Sequence, residues 1–196
     1  MQLIDRPTTA DSITTHVEKV RAALAPISGD LVSRIVDLII EAQRDGRHVY
    51  VLGNGGSAAT ASHLACDLSK ATVVSGRRRL RVTALSDNVA LLTAWANDTS
   101  FDRVFAEPLL NHLDPGDVVI AISASGNSPN VVEAVRVAND MRATTVGLLG
   151  FTGGRLLEMV SVSLCVRSHD YGVVEDCHMV LGHAITASTR EALVAE

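Results

Sequence analysis

Residues 48–68 read HVYVLGNGGSAATASHLACDL, and the order of parts in that stretch decides the fold. VYVL, 49–52, is apolar without alternation, as a strand covered on both faces is. A glycine-rich loop follows at 53–57 and opens an alanine-rich segment, 57–70, that reads as a helix. Strand, tight loop and helix together form the first half of a parallel crossover unit.

The same alternation extends downstream. LRVTAL (80–85), VVIAI (118–122), TTVGLLG (144–150) and VSLCV (162–166) read as four more strands. Helices are predicted between and after them over 88–96, 101–112, 129–142, briefly after Gly153-Gly154, and over 173–194, with DPGD at 114–117 as a turn. Upstream, Leu31, Ile35, Leu38, Ile39 and Ala42 make one stripe of a helix over 29–45 that Gly46 ends. An earlier helix spans 10–25, capped by Asp11 or Ser12. The expected fold is α/β: a three-layer sandwich with a five-stranded parallel sheet flanked by helices. The helix pair 10–45 precedes the alternation and serves packing or oligomerisation. At 196 residues, 47% of them hydrophobic, the chain suits a single domain over 1–196 with a full core.

Composition narrows the function. A net charge of −5 and 3% aromatic residues argue against nucleic-acid binding. The basic run RRRLR, 77–81, reads as a solvated strand edge or loop. The start, MQLIDRPTTADSITTH, lacks an apolar h-region, so no signal peptide is expected, and no apolar run is long enough to cross a membrane. Three widely spaced cysteines, Cys66, Cys165 and Cys177, with no C-x-x-C, suit a reducing cytoplasm.

The loop after 49–52 has an echo: VVIAISASGNSPNVVEAV repeats strand, Gly/Ser/Asn loop and helix. Both loops belong at the carboxyl ends of parallel strands, where such sheets bind ligands. Gly53-x-Gly55-x-x-Ala58 formally matches a dinucleotide fingerprint, but the nearest acidic partner, Asp87, lies about 30 residues on rather than ~20, so no nucleotide cofactor is expected. Neither loop carries Lys or Arg, which argues against a P-loop. Backbone N–H groups at helix starts, with the hydroxyls of Ser57, Ser123, Ser125 and Ser128, suit a monoester phosphate on a small molecule. The plainer alternative is that these are only turn and cap residues.

Two helices add polar residues. His63 and Asp67 share a face at i, i+4. Glu175 and His183 stand eight apart, about 80° round the wheel, and share another, whereas His178 points elsewhere and is expected to be structural. Two imidazoles and two carboxylates suit Zn²⁺ or a similar divalent ion, or proton transfer near neutral pH.

GNGGSAATASHLACDL, Asn97-Asp98 in WANDTSF, ISASGNSPN and EDCHMVLGH together resemble the sugar-isomerase (SIS) domain family, in particular its phosphoheptose isomerase branch, over nearly the whole chain. The resemblance implies aldose–ketose isomerisation of a phosphorylated sugar through an enediol, in a homotetramer with active sites between subunits. It implies that Asn54, Gly55 and Gly56 contact substrate, and that Ser57, Ser123, Ala124, Ser125 and Ser128 surround its phosphate. Asn97 and Asp98 would hold sugar hydroxyls. His63, Asp67, Glu175 and His183 would form the metal site, with Asp67 and His183 as the acid–base pair. Three positions depart from the family pattern: Asp67 replaces Glu, Glu175 replaces Gln, and Ala124 replaces Thr. Asp67 and Glu175 are expected to compensate for each other, with Glu175 sharing the proton transfer. A non-catalytic SIS module that holds a replication initiator is the reading from another class, and retention of all four polar residues argues against it. A sugar-phosphate-sensing regulator would need a DNA-binding domain for which 196 residues leave no room.

Overall fold

The computed structural model describes residues 9–195; residues 1–8, part of the stretch read for a leader, and residue 196 lie outside the described residues. Five strands form one all-parallel sheet: β1 (His48–Gly53), β2 (Arg81–Ala84), β3 (Val118–Ser123), β4 (Thr144–Gly150) and β5 (Val162–Val166), in the order β2-β1-β3-β4-β5. The expected α/β sandwich is the fold observed.

The sheet is dry on both sides: its central strands are buried at every position after the first residue of β1 and β4, and their middles are apolar. From β1, Val49 and Val51 point to the face covered by α2 (Gly29–Asp45), α3 (Gly56–Lys70) and α8 (Tyr171–Ala195), and Tyr50 and Leu52 point to the other. That other face packs against α5 (Ala106–His112), α6 (Pro129–Asp140) and α7 (Leu156–Met159). α1 (Thr9–Leu24) lies against α8. His16 Nε2 meets Asp176 Oδ2 at 2.6 Å and Lys19 Nζ meets Asp170 at 3.2 Å, which tie the two helices. Exposed pairs of this kind contribute little stability each.

One predicted helix divides. Over 101–112 the chain forms a short 3₁₀ turn, Phe101–Arg103, and then α5. Pro108 explains the break: inside a continuous helix it could not donate to the carbonyl of Val104, whereas in the first turn of α5 no such bond is due. The helix predicted over 88–96 extends to Val89–Asp98 as α4, so Asn97 and Asp98 close a helix rather than follow one. The arginine run leads into edge strand β2, as expected. Arg78 covers Gly46, and Arg81 donates to the Gly46 carbonyl at 3.1 Å, so both cations sit at the negative end of α2.

α3 returns the chain from β1 to β2 on one face, and α6 carries it from β3 to β4 on the other. The connections diverge between β1 and β3. A crevice therefore opens above the carboxyl ends of these two strands, between the loops at 53–57 and 123–129.

Candidate active site

Gly55 opens α3 with φ +54°, a left-handed turn, and no side chain caps the helix. Ser128 precedes Pro129 at the start of α6 and likewise makes no side-chain cap bond. The start of α3 thus turns its first N–H groups to the crevice, whereas in α6 Pro129 has none and Val131 N–H is bonded to Asn130 Oδ1 and the Ser128 carbonyl, which leaves that of Asn130. Ser57, Ser123, Ser125 and Ser128 line one cavity there, of about 130 Å³, together with Asn54 and Ala124. No Lys or Arg lines it; the charged residue on its wall is Glu175. Helix starts and hydroxyls of this kind are chemically suited to an anion.

Asn54 and Asn130 join the two loops. Each amide donates to the other's oxygen, both at 2.8 Å, and Asn130 is buried. Ser123 Oγ accepts from Gly126 N–H at 3.1 Å, and Ser125 Oγ from Asn127 N–H at 3.2 Å, so these hydroxyls also shape the second loop. Asn130 is absent from the sequence expectations. Its signal was slight: an amide in the first turn of an otherwise apolar helix.

Farther along α3 and α8 a second group assembles. His63 Nε2 and His183 Nε2 lie 3.0 Å apart, and Asp67 Oδ2 is 3.3 Å from the first and 3.8 Å from the second. At 3.0 Å one imidazole must donate and the other accept. Among the described residues, ligand atoms of His63, Asp67 and His183 all fall within 4.8 Å of one another. Donors around a tetrahedral zinc, each about 2.0–2.1 Å from it, stand roughly 3.3 Å apart, so this donor set fits such an ion with a fourth position open.

Glu175 does not join them. It stands eight residues before His183, about 12 Å of helix rise, and this separation outweighs the shared face read from the wheel. Its carboxyl group lies over Gly56, where an added Cβ would meet its three atoms at 2.3, 2.4 and 2.4 Å. Asn97 and Asp98 are exposed at the end of α4, with Asn97 Nδ2 donating to Asp98 Oδ1 at 2.9 Å, and neither lines the serine cavity. His178 is buried against the sheet, where its Nε2–H donates to the Leu149 carbonyl at 3.0 Å; burial pushes its pKa down. Asp87 accepts a short hydrogen bond from Ser62 on α3.

The SIS domain profile matches residues 12–150, most of the chain. The chain belongs to the SIS domain family. Over 188 residues this SIS chain is 37% identical to a phosphoheptose isomerase of Pelobacter propionicus, covering 94% of this chain and 99% of that one. It is 40% identical over 161 residues to one from Mycobacterium tuberculosis, covering 82% of each. The structure of a phosphoheptose isomerase, GmhA, from Neisseria gonorrhoeae superposes with a TM-score of 0.82 at 28% identity, covering 92% of this chain and 95% of that one. With relatives matched over nearly their full length, this SIS chain is an enzyme of the sugar-isomerase type.

Proposed function

We propose that the chain is a phosphosugar isomerase that converts sedoheptulose 7-phosphate to a glycero-manno-heptose 7-phosphate. The observation that carries this reading is the pairing of two sites on the same two helices. Seven residues of α3 separate Gly56 from His63, about 10 Å of rise, and eight of α8 separate Glu175 from His183, about 12 Å. An extended seven-carbon chain spans roughly 7.5 Å at about 1.25 Å per C–C bond, and its phosphate ester adds some 2.5 Å. A ketose phosphate held at the serines therefore brings its carbonyl end to the imidazoles.

In this reading Ser57, Ser123, Ser125 and Ser128 and the starts of α3 and α6 hold the phosphate, Asn54, Gly55 and Gly56 border it, and Asn97 and Asp98 bind sugar hydroxyls. His63, Asp67 and His183 hold a divalent ion, zinc by donor type, which when bound polarises the carbonyl oxygen. The Asp67–His183 pair, through the Asp67 carboxylate oxygen that would stay off the ion, removes a proton from C1 while the carbonyl oxygen gains one, giving the enediol. The reverse steps at the neighbouring atoms, loss of the O1 proton and delivery of a proton to C2, yield the aldose. Glu175, at the phosphate end, is placed beside the substrate rather than on the ion.

The proposal extends to assembly: one SIS unit per chain, four chains per molecule, active sites between subunits. α1 and α4 contain no buried residue, and Ile13, Val17 and Val89 are exposed on them. The imidazoles are half open, His63 at 47% and His183 at 55% of side-chain area. Unpaired thiols at Cys66, Cys165 and Cys177 suit the cytoplasm, and no helix of the described residues is long and apolar enough to cross a membrane.

The test is turnover of sedoheptulose 7-phosphate by purified protein, with bound metal quantified and particle mass measured by light scattering. Loss of turnover on chelation and in His183→Ala, from a four-chain particle, is expected. Turnover that survives both chelation and His183→Ala would refute the mechanism. Metal-loaded tetramer without turnover would move the substrate to another phosphosugar.

A further inference from the structure

We propose that Tyr171 is a substrate-contacting residue whose ring holds the sugar carbons next to the phosphate; the assignment rests on the phosphosugar reading above. Tyr171 opens α8, one turn before Glu175, and lines the serine cavity while remaining 58% exposed. That cavity, about 130 Å³, is well below the ~300 Å³ at which pockets begin to enclose whole ligands. It takes the phosphate and the carbon that bears it, with Tyr171 and Glu175 in its wall, and the rest of the carbon chain runs on along α8 toward His183.

The ring is held in place. Phe151, at the end of β4, meets Tyr171 edge-to-face with centroids 4.8 Å apart and 72° between planes. On its other side Phe151 stacks with His169 at 5.1 Å and 26°. Phe151 adopts φ +51°, a left-handed conformation that is unusual for a bulky residue. Glycine would take that backbone at no cost, yet the chain places there the ring that braces Tyr171. Strain of this kind persists where the surroundings fix it, and it gathers at ligand sites. In a chain with only 3% aromatic residues, two of them and a histidine meet beside the phosphate loops. An aromatic face suits the C–H side of a polyol and does nothing for a bare phosphate ion.

The experiment uses the full chain, its metal bound, with Tyr171→Ala, Tyr171→Phe and Phe151→Gly, and compares sedoheptulose 7-phosphate with inorganic phosphate as a competitive inhibitor. Tyr171→Ala should raise KM about 3- to 10-fold, the range of a single aromatic contact, with kcat within about twofold and the inhibition constant of phosphate unchanged. Tyr171→Phe should restore KM, and Phe151→Gly should raise it by less than Tyr171→Ala. An unchanged KM in Tyr171→Ala, or a parallel loss of phosphate inhibition, overturns the contact. If the parent protein turns over no sedoheptulose 7-phosphate, the isomerase reading fails on its own, and calorimetric binding of the two ligands decides the contact: Tyr171→Ala must weaken the sugar phosphate and spare phosphate, and equal binding by parent and variant overturns it.

Discussion

Asn130→Ala tests whether the two loops form one site. The residue is 1% exposed, and its amide makes two bonds with Asn54, both 2.8 Å, and accepts a third from Val131 N–H at 3.0 Å. The third is backed up, because Val131 N–H also reaches the Ser128 carbonyl at 3.0 Å. Two bonds are therefore lost outright, at about 1 kcal/mol each, and a small void adds to this, giving roughly 2–3 kcal/mol. For a domain of this size that is a fall in Tm of about 4–10 °C. Asn130→Asp is the diagnostic partner. It keeps the shape and the acceptor but loses the donor to Asn54 Oδ1 and sets a carboxylate oxygen against it; the helix dipole offsets part of that cost, so its Tm should also fall. It also puts negative charge beside the serine cavity, so phosphate should bind it worse. The assay is calorimetric unfolding with and without inorganic phosphate, since a ligand of the native state raises Tm in proportion to its affinity. Both variants should unfold at lower temperature than the parent, and Asn130→Asp should be the one that phosphate stabilises least. Tm values for both within about 1 °C of the parent would refute the claim that the amide pair joins the loops.

Two further outcomes follow from the geometry. Gly56→Ala places a Cβ 2.3–2.4 Å from the Glu175 carboxyl atoms and must displace that side chain; kcat/KM should fall at least about tenfold, and Glu175→Ala in the same background should cost much less than it does alone. Strict additivity in that double-mutant cycle would mean the two do not meet. His178 stays neutral in the fold because burial lowers its pKa, whereas the unfolded chain takes up a proton there below about pH 6.5. The unfolded state then holds more protons, so stability falls as pH drops below 6.5, by up to about 1.4 kcal/mol per pH unit until the folded pKa is reached. His178→Gln keeps an N–H for the Leu149 carbonyl and should flatten the slope of unfolding free energy between pH 6.5 and 5; an unchanged slope would show that another group sets it.

The sheet was legible because burial on both faces leaves a direct mark. VYVL and VVIAI admit no solvent-facing side, and each is followed at once by Gly or Ser and then a helix. All five strands fall where the apolar runs do. The misreading at 101–112 came from counting helix formers across Pro108, where the missing N–H sets the boundary. The helix pair 10–45 was visible as periodicity, but no residue of α1 is fully buried within the chain, where Val20, Ala23 and Leu24 pack partly against the core, so its sequence carries little sign of what else it covers.

Site residues were legible in proportion to how far backbone geometry alone positions them. His63 and Asp67 at i, i+4 on α3 need only the helix to meet, and they do. The serines need only the loops that the strand ends dictate. Glu175 is different. A helical wheel collapses the axis, so it put 175 and 183 on one face and hid the two turns between them; the carboxylate lies instead over Gly56, which has no side chain in its way. Asn130 and Tyr171 were missed for the complementary reason. Each acts through a partner far along the chain, Asn54 in one case and Phe151 in the other, and only the β1–β3 divergence and the β4–β5 pairing bring those partners near. On the proposed reading, the departures from the family pattern at Asp67 and Glu175 therefore do not fall within a single metal shell. Asp67 lies in the imidazole cluster and the Glu175 carboxyl over Gly56, eleven residues or about 16 Å apart along α3, so on the proposed reading the two act at opposite ends of the substrate.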